Sequence, residues 1–378
     1  MAIDCILTKI ITFVYYNFWL YTMSDQNYPS FPIALTFDDV LLVPQKSDIA
    51  SRMQIDLSTF IAPGLKLEIP LISLSMDTVT GVDMAIEMSR LGAIGCMPRF
   101  DLPNIQAEKV SKVKNAGQRV VAAIGLRDNY LERAVMLIKA GADGITLDIA
   151  HAHTTNALRA VSEFKNKFKS VPMIAGTIAT YEGAYDLFKA GADTVRVGIG
   201  AGTICTTRIV AGSGVPQITA IIEANRARNK FKNKFVLGDG GASKSGDIVK
   251  GLAAGADAYM CGSLFAGTDE APGEIIEKNG QRYKFYDGST SNFQKHKQVK
   301  KDRNGIKPTF EFHVEGVEAM VKYKGPVKGV VESLSAGIRS GLSYSGALNI
   351  PELHKRAKFV QITSAGLKES HAHDVETF

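Results

Sequence analysis

One junction recurs along the chain and limits what it can fold into. Ala-Gly-Ala-Asp at 140–143 precedes ITLDI, the same four residues at 190–193 precede TVRVGI, and again at 254–257 they precede AYMCG. A related Leu-Gly-Ala at 91–93 leads into IGCMP. Each reads as the end of an amphipathic helix, a glycine in the left-handed C-terminal position and then a short buried strand. The stretch Leu131–Lys139 before the first junction has its apolar residues at helical spacing. The strands are Val- and Ile-rich runs of four to six residues. Such runs suit strands covered on both faces, as in parallel sheets.

Eight runs of this kind fall at 70–74, 94–98, 119–124, 145–149, 171–175, 194–198, 235–238 and 258–262. Eight strand–helix units in 378 residues predict a closed (β/α)8 TIM barrel of the α/β class. An open Rossmann sheet would call for GxGxxG in its first turn, and that string is missing. Residues 23–378 are expected to form this single domain, with a long polar flap at about 279–316 after the last strand. Residues 1–22, apolar and aromatic but interrupted by Lys9 and Asn17, read as an extension outside the fold rather than a membrane span or secretory signal.

Barrel enzymes carry their chemistry on the loops that follow the strands. After the sixth run, Gly198, Gly200 and Gly202 lead into Thr203-Ile204-Cys205-Thr206-Thr207. Glycines let backbone groups approach a ligand or ion, and Cys205 stands where a nucleophile would be displayed. Cys5, Cys96 and Cys261 form no CxxC pair with it and read as structural residues of a reduced, cytoplasmic protein. GDGG at 238–241 and Gly262-Ser263 follow the seventh and eighth runs, where barrels of this type bind phosphate. Asp239 could take ribose hydroxyls. Asp148 ends the fourth run and His151 and His153 follow it, a set that could hold a metal or line a cofactor subsite.

The net charge of +6 is concentrated in runs at 226–234 and 295–303. They read as solvated faces, or as attraction for an anionic substrate. No zinc spacing or basic–aromatic interleaving points to nucleic acid. No Walker-type motif points to nucleoside triphosphate hydrolysis.

The strings LTFDDVLLVP (35–44), SMDTVT (75–80), GAGTICTTRIVAGSGVPQ (200–217), SLFAGTDEAPGE (263–274) and ESHAHDV (369–375), with GDGG, resemble the IMP dehydrogenase/GMP reductase family from about Leu35 to Val375. No tandem regulatory domain interrupts the barrel between strands two and three, as in GMP reductases and a few compact dehydrogenases. The resemblance implies a purine nucleoside monophosphate, GMP or IMP, on the phosphate loops. Met76 would lie near the base and Asp239 on the ribose, with Gly202, Thr203, Gly240, Gly241, Gly262 and Ser263 around the phosphate. Tyr286, Gly288, Ser289 and Glu315 would close from the flap. Cys205 would attack C2 of the purine, assisted by Thr207. NADP or NAD would lie beside Asp148, Ile149, Ala150 and Gly198. Potassium would sit on Gly200, Gly202 and Cys205, together with Glu369, Ser370 and His371 of a neighbour in a homotetramer.

The resemblance also bears on direction. A dehydrogenase activates water, usually with an Arg-Tyr pair on the flap, whereas a reductase protonates an amine through a Thr–Glu relay. Here Arg303 is followed by Asn304, and Tyr286-Asp287-Gly288-Ser289-Thr290-Ser291 departs from the Tyr-Arg-Gly-Met-Gly-Ser of dehydrogenases. Thr207 and Glu274 are present for a relay, although dehydrogenases carry the glutamate too. GMP reductase is therefore the first expectation, and IMP dehydrogenase the alternative. A sensor without turnover is a third reading, against which Cys205, Thr207 and Asp239 stand.

Overall fold

The computed structural model describes residues 31–126, 129–288 and 315–372. The chain divides at Ala34 into two units, and Leu35–Phe378 contains the fold. The extension at 1–22 lies outside the described residues.

Eight strands close into a barrel: β1 Leu71–Ser73, β2 Ile94–Met97, β3 Val120–Ile124, β4 Gly144–Asp148, β5 Met173–Ile178, β6 Thr194–Val197, β7 Phe235–Asp239 and β8 Ala258–Cys261. Each pairs in parallel with its sequence neighbours, and β8 closes on β1 through Tyr259–Leu71, Met260–Ile72 and Cys261–Ser73. All eight expected runs are barrel strands. Their continuous hydrophobicity has a simple cause: one face packs inside the barrel and the other under helices. Val121 and Ala123 join the inner core of the barrel, while Val120, Ala122 and Ile124 join the core beneath the helices.

Helices α1 Val82–Arg90, α2 Pro103–Asn115, α3 Tyr130–Lys139, α4 Thr155–Lys167, α5 Tyr181–Lys189, α6 Gln217–Arg228, α7 Ser245–Ala253 and α8 Val327–Tyr344 surround the strands. The junction glycines Gly92, Gly141, Gly191 and Gly255 have φ of +85°, +96°, +111° and +118°, the left-handed conformation the repeat predicts. The aspartates after them close the bottom of the barrel. Asp143 accepts from the Val120 amide at 2.8 Å, Asp193 from Met173 at 2.9 Å and Asp257 from Val236 at 2.7 Å. Each also pairs with a cation at the end of the helix two back along the chain: Lys114 of α2, Lys165 of α4 and Arg228 of α6. A hairpin, 59–62 with 65–67, plugs this lower mouth with Ile61, Leu65 and Leu67.

The described parts of the chain on either side of residues 289–314 form regular structure. Three strands, β9 Ile275–Lys278, β10 Gln281–Asp287 and β11 Glu318–Lys322, form an antiparallel sheet, with a turn at Asn279-Gly280 where φ is +53° and +72°. Residues 289–314 between β10 and β11 lie outside the described residues. Lys284 of β10 is buried and anchors this sheet, its ammonium donating to the carbonyls of Thr268 (3.0 Å) and Ala271 in the loop after β8.

Candidate active site

The upper ends of the strands open into one cavity, which collects most of the residues singled out by sequence. Its lining includes Met76 after β1, Asp148, Ile149 and Ala150 after β4, and Gly198, Gly200, Gly202, Thr203 and Cys205 after β6. Asp239, Gly240 and Gly241 enter from β7, Gly262 and Ser263 from β8, and Tyr286, Gly288 and Glu315 from the flap sheet.

Cys205 is half-buried, and its Sγ lies 3.1 Å from Thr207 Oγ1. Thr207 donates in turn to Glu315 Oε2 at 2.7 Å. Backbone bonds hold this relay in register. The Thr206 amide donates to the Glu315 carbonyl at 3.0 Å and the Val317 amide to the Ile204 carbonyl at 3.1 Å, so the cysteine loop adds a short antiparallel bridge to the segment entering β11. The glutamate partner of Thr207 is thus Glu315. Glu274, expected in that role, is exposed at the start of β9 and outside the cavity. Glu274 is nearer to Cys205 along the sequence, but the β10–β11 pairing and the Cys205–Gly316 bridge carry Glu315 back to it.

Cys96 and Cys261 are buried, as expected of structural thiols. Burial pushes the Cys96 thiol up to about 11 and raises Cys261 further. Neither is available as a thiolate near neutrality.

On the phosphate side, Thr203 Oγ1 and Ser263 Oγ stand 3.3 Å apart. A Cβ on Gly262 would lie 2.4 Å from the Tyr286 hydroxyl, so glycine is needed for tyrosine to approach. Gly240 and Gly241 have φ of +81° and +80° and wrap closely around Ala201 and Gly202. The result is a nest of backbone groups and hydroxyls suited to an anion.

Asp239 and Asp148 meet through a residue the sequence reading passed over. Arg196 of β6 is 3% exposed. It donates from Nε (3.0 Å) and Nη2 (2.6 Å) to Asp239 Oδ2, and from Nη1 to Asp148 Oδ1 at 2.8 Å. Burial pushes the Asp239 carboxyl above the ordinary carboxylate range, partly offset by Arg196. Burial disfavours the guanidinium charge as well, but Asp239 and Asp148 more than compensate and raise its pKa. Arg99 Nε donates to the Asp148 carbonyl at 2.9 Å. Thr177 of β5 donates to the Ala150 carbonyl at 2.8 Å, fixing the Ile149–Ala150 turn. Arg196 was hidden within TVRV, where an apolar strand pattern masks an inward cation.

His151 and His153 do not build a metal centre. His153 Nε2 is engaged by Asp186 at 3.0 Å, and His151 is exposed. Among the described residues no three His, Cys, Asp or Glu side chains gather as a metal site. Glu369, Ser370 and His371 are exposed at the end of the 364–369 helix and do not line the cavity of their own chain. Ser289 and Arg303 lie outside the described residues. No helix among the described residues is long and apolar enough to cross a membrane.

Residues 34–373 match the family model of the IMP dehydrogenase / GMP reductase domain. An inosine-5'-monophosphate dehydrogenase of Cryptosporidium parvum is 40% identical over 392 residues, covering 90% of this chain and 95% of its own. One from Borreliella burgdorferi is 38% identical over 397 residues, covering 90% and 97%. One from Nitrosopumilus maritimus is 34% identical over 472 residues, covering 91% and 99%. All three alignments are longer than the 378 residues of this chain, so each relative carries residues that this chain lacks, most in that from Nitrosopumilus maritimus.

Proposed function

The chain belongs to the IMP dehydrogenase/GMP reductase family of oxidoreductases, and from that premise we propose that it is an IMP dehydrogenase, converting IMP, NAD⁺ and water to XMP and NADH. This reverses the expectation from sequence, which put GMP reductase first. The flap departures that favoured the reductase fall at 286–291 and 303–304. Relatives named as IMP dehydrogenases nevertheless align along nine-tenths of the chain. The observation that carries the chemistry is the Cys205–Thr207–Glu315 relay, 3.1 and 2.7 Å long.

The purine would lie over Met76 with its ribose on Asp239 and its phosphate on Gly241, Gly262, Ser263 and Tyr286. Cys205 Sγ then forms a bond to C2 as hydride departs from that carbon. The strand ends at Asp148–Ala150 and Gly198 fit a nicotinamide: Ile149 and Ala150 give an apolar shelf, and Asp148 and Arg99 a polar rim. A Cβ at Gly198 would lie 2.0 Å from the Asp239 carbonyl, so no side chain intrudes there. Held by these residues, NAD⁺ would supply the hydride acceptor. Water next adds to C2 and the C–S bond breaks, returning the thiolate. Thr207 takes a proton from that water as it passes its own to Glu315, the sense in which the hydroxyl already donates. Arg303 of the flap would assist.

Potassium is proposed on the carbonyls of Gly200, Gly202 and Cys205. Among the described residues one chain supplies no carboxylate cluster there, so Glu369–His371 of a second copy in a homotetramer would complete the shell. Replacing potassium with lithium should then slow turnover.

The GMP reductase reading keeps three supports: the sequence of residues 286–291, Asn304 in place of the flap tyrosine, and the Thr207–Glu315 bond, which could equally protonate a leaving amine. Two assays on the purified full chain separate the readings. IMP with NAD⁺ should yield NADH and XMP. Consumption of NADPH with GMP, with equal release of ammonia, would establish the reductase instead.

A further inference from the structure

Two carboxylates that line the cavity share one buried cation. Asp148 ends β4 and Asp239 ends β7, and Arg196 reaches both from β6 between them. Its side chain is only 4% exposed. The stem cannot retreat: a Cβ on Gly176 of β5 would fall 2.4 Å from Arg196 Cβ, so the neighbouring backbone already abuts it. All three donor nitrogens are committed, Nε and Nη2 to one oxygen of Asp239 and Nη1 to one oxygen of Asp148. Among the described residues Asp239 Oδ1 receives no protein hydrogen bond, and Asp239 lines the cavity. Asp148 Oδ2 lies 3.5 Å from Arg99 Nε. Asp239 thus offers one oxygen toward a ligand and Asp148 one that faces Arg99, while the other oxygen of each is fixed by the same planar guanidinium.

We infer that Arg196 is a positioning residue that couples the nucleotide subsite to the dinucleotide subsite by holding Asp239 and Asp148 in one rigid fork. The inference rests on the reading above, in which a purine monophosphate meets Asp239 and a nicotinamide dinucleotide lies beside Asp148. A rigid fork moves both carboxylates or neither, so a ligand that seats one aspartate pre-orients the other. The resulting coupling is reciprocal: each ligand tightens the other by the same factor. Lysine would keep a charge but, as a single point, would satisfy one carboxylate at a time.

The test is calorimetric titration of the full chain in a Cys205→Ala background, where both ligands bind without turnover. IMP and NAD⁺ are titrated alone and each in the presence of the other. In that background IMP should strengthen NAD⁺ binding, and NAD⁺ should strengthen IMP binding equally. Adding Arg196→Met should weaken both ligands by about tenfold or more, because the buried Asp239 and the partly buried Asp148 lose the cation they share. Arg196→Lys, which preserves the charge should methionine prevent folding, should recover one ligand more than the other and abolish the mutual strengthening. A folded Arg196→Lys protein with full reciprocal coupling would overturn the inference, as would loss of affinity for one ligand alone in Arg196→Met. If GMP and NADPH bind where IMP and NAD⁺ do not, the dehydrogenase reading falls and the same comparison is made with that pair. A Cys205→Ala chain that binds neither pair overturns both.

Discussion

The two ends of the barrel use aspartate in opposite ways. At the bottom, Asp143, Asp193 and Asp257 each have their own cation and their own strand amide. Backbone bonds from the same three aspartates run back to the Val120, Met173 and Val236 carbonyls, at 2.9, 2.9 and 2.7 Å. These carboxylates are spent on tying one strand to the next. At the top, Asp148 and Asp239 divide Arg196 between them, with Arg99 beside Asp148 alone, and both line a cavity. The same residue type stabilises where its oxygens are filled and binds where one is left over. The comparison therefore separates stability from function by position along the strand, as expected for this barrel.

That separation can be broken by substitution, beginning where the effect should be greatest. Cys205→Ala should remove turnover by several orders of magnitude while leaving the melting temperature close to that of the wild type, since the thiol is half-buried and bonded only to Thr207. Glu315→Gln should lower kcat by roughly 10²–10⁴-fold through the hydrolytic step. Glu274→Gln, exposed and outside the cavity, should leave kcat within a factor of about two. Equal losses in both glutamate variants would erase the assignment of the relay.

Asp257→Ala tests the other end. Its partner Arg228, 16% exposed, would be left without its carboxylate, and urea denaturation should show a loss of about 3 kcal/mol. KM for IMP should not change. A top-face phenotype from this substitution would dissolve the comparison.

The smallest effect is a pH dependence of the lower face. His354 packs from the 350–356 helix, with Nε2 3.0 Å from the Ala256 carbonyl, near Asp257 and Arg228. Burial is the largest influence and holds its imidazole below the ordinary 6.5. The unfolded chain therefore takes up a proton near 6.5 that the folded chain resists. This contribution to stability is complete above that pH and is lost as pH falls below it. His354→Gln should flatten the decline of melting temperature on the acid side; an unchanged slope would show that other groups dominate.

The fold was legible because four strands, β2, β4, β6 and β8, follow a helix end with a left-handed glycine, and the other four are themselves short apolar runs. The site was legible where one loop carries its own chemistry, as in Gly198–Thr207. It was not legible where distant segments meet. Glu315 reaches Thr207 across 108 positions through strand pairing, and no local pattern marks it. Arg196 points into the barrel from a strand whose neighbours are apolar. The hairpin at β9–β10 did carry a local signal, Asn279-Gly280, which a reading of the region as a polar flap overlooked.

The most direct test of the account is the chemical state of Cys205 during turnover. Wild-type protein mixed with IMP and NAD⁺ is quenched in acid and digested, and the peptide containing Cys205 is weighed. The account predicts a purine nucleotide covalently attached to that peptide, accumulating before XMP is released and missing from Cys205→Ala. Steady conversion of IMP to XMP with an unmodified Cys205 peptide, and with Cys205→Ala equally active, would contradict it.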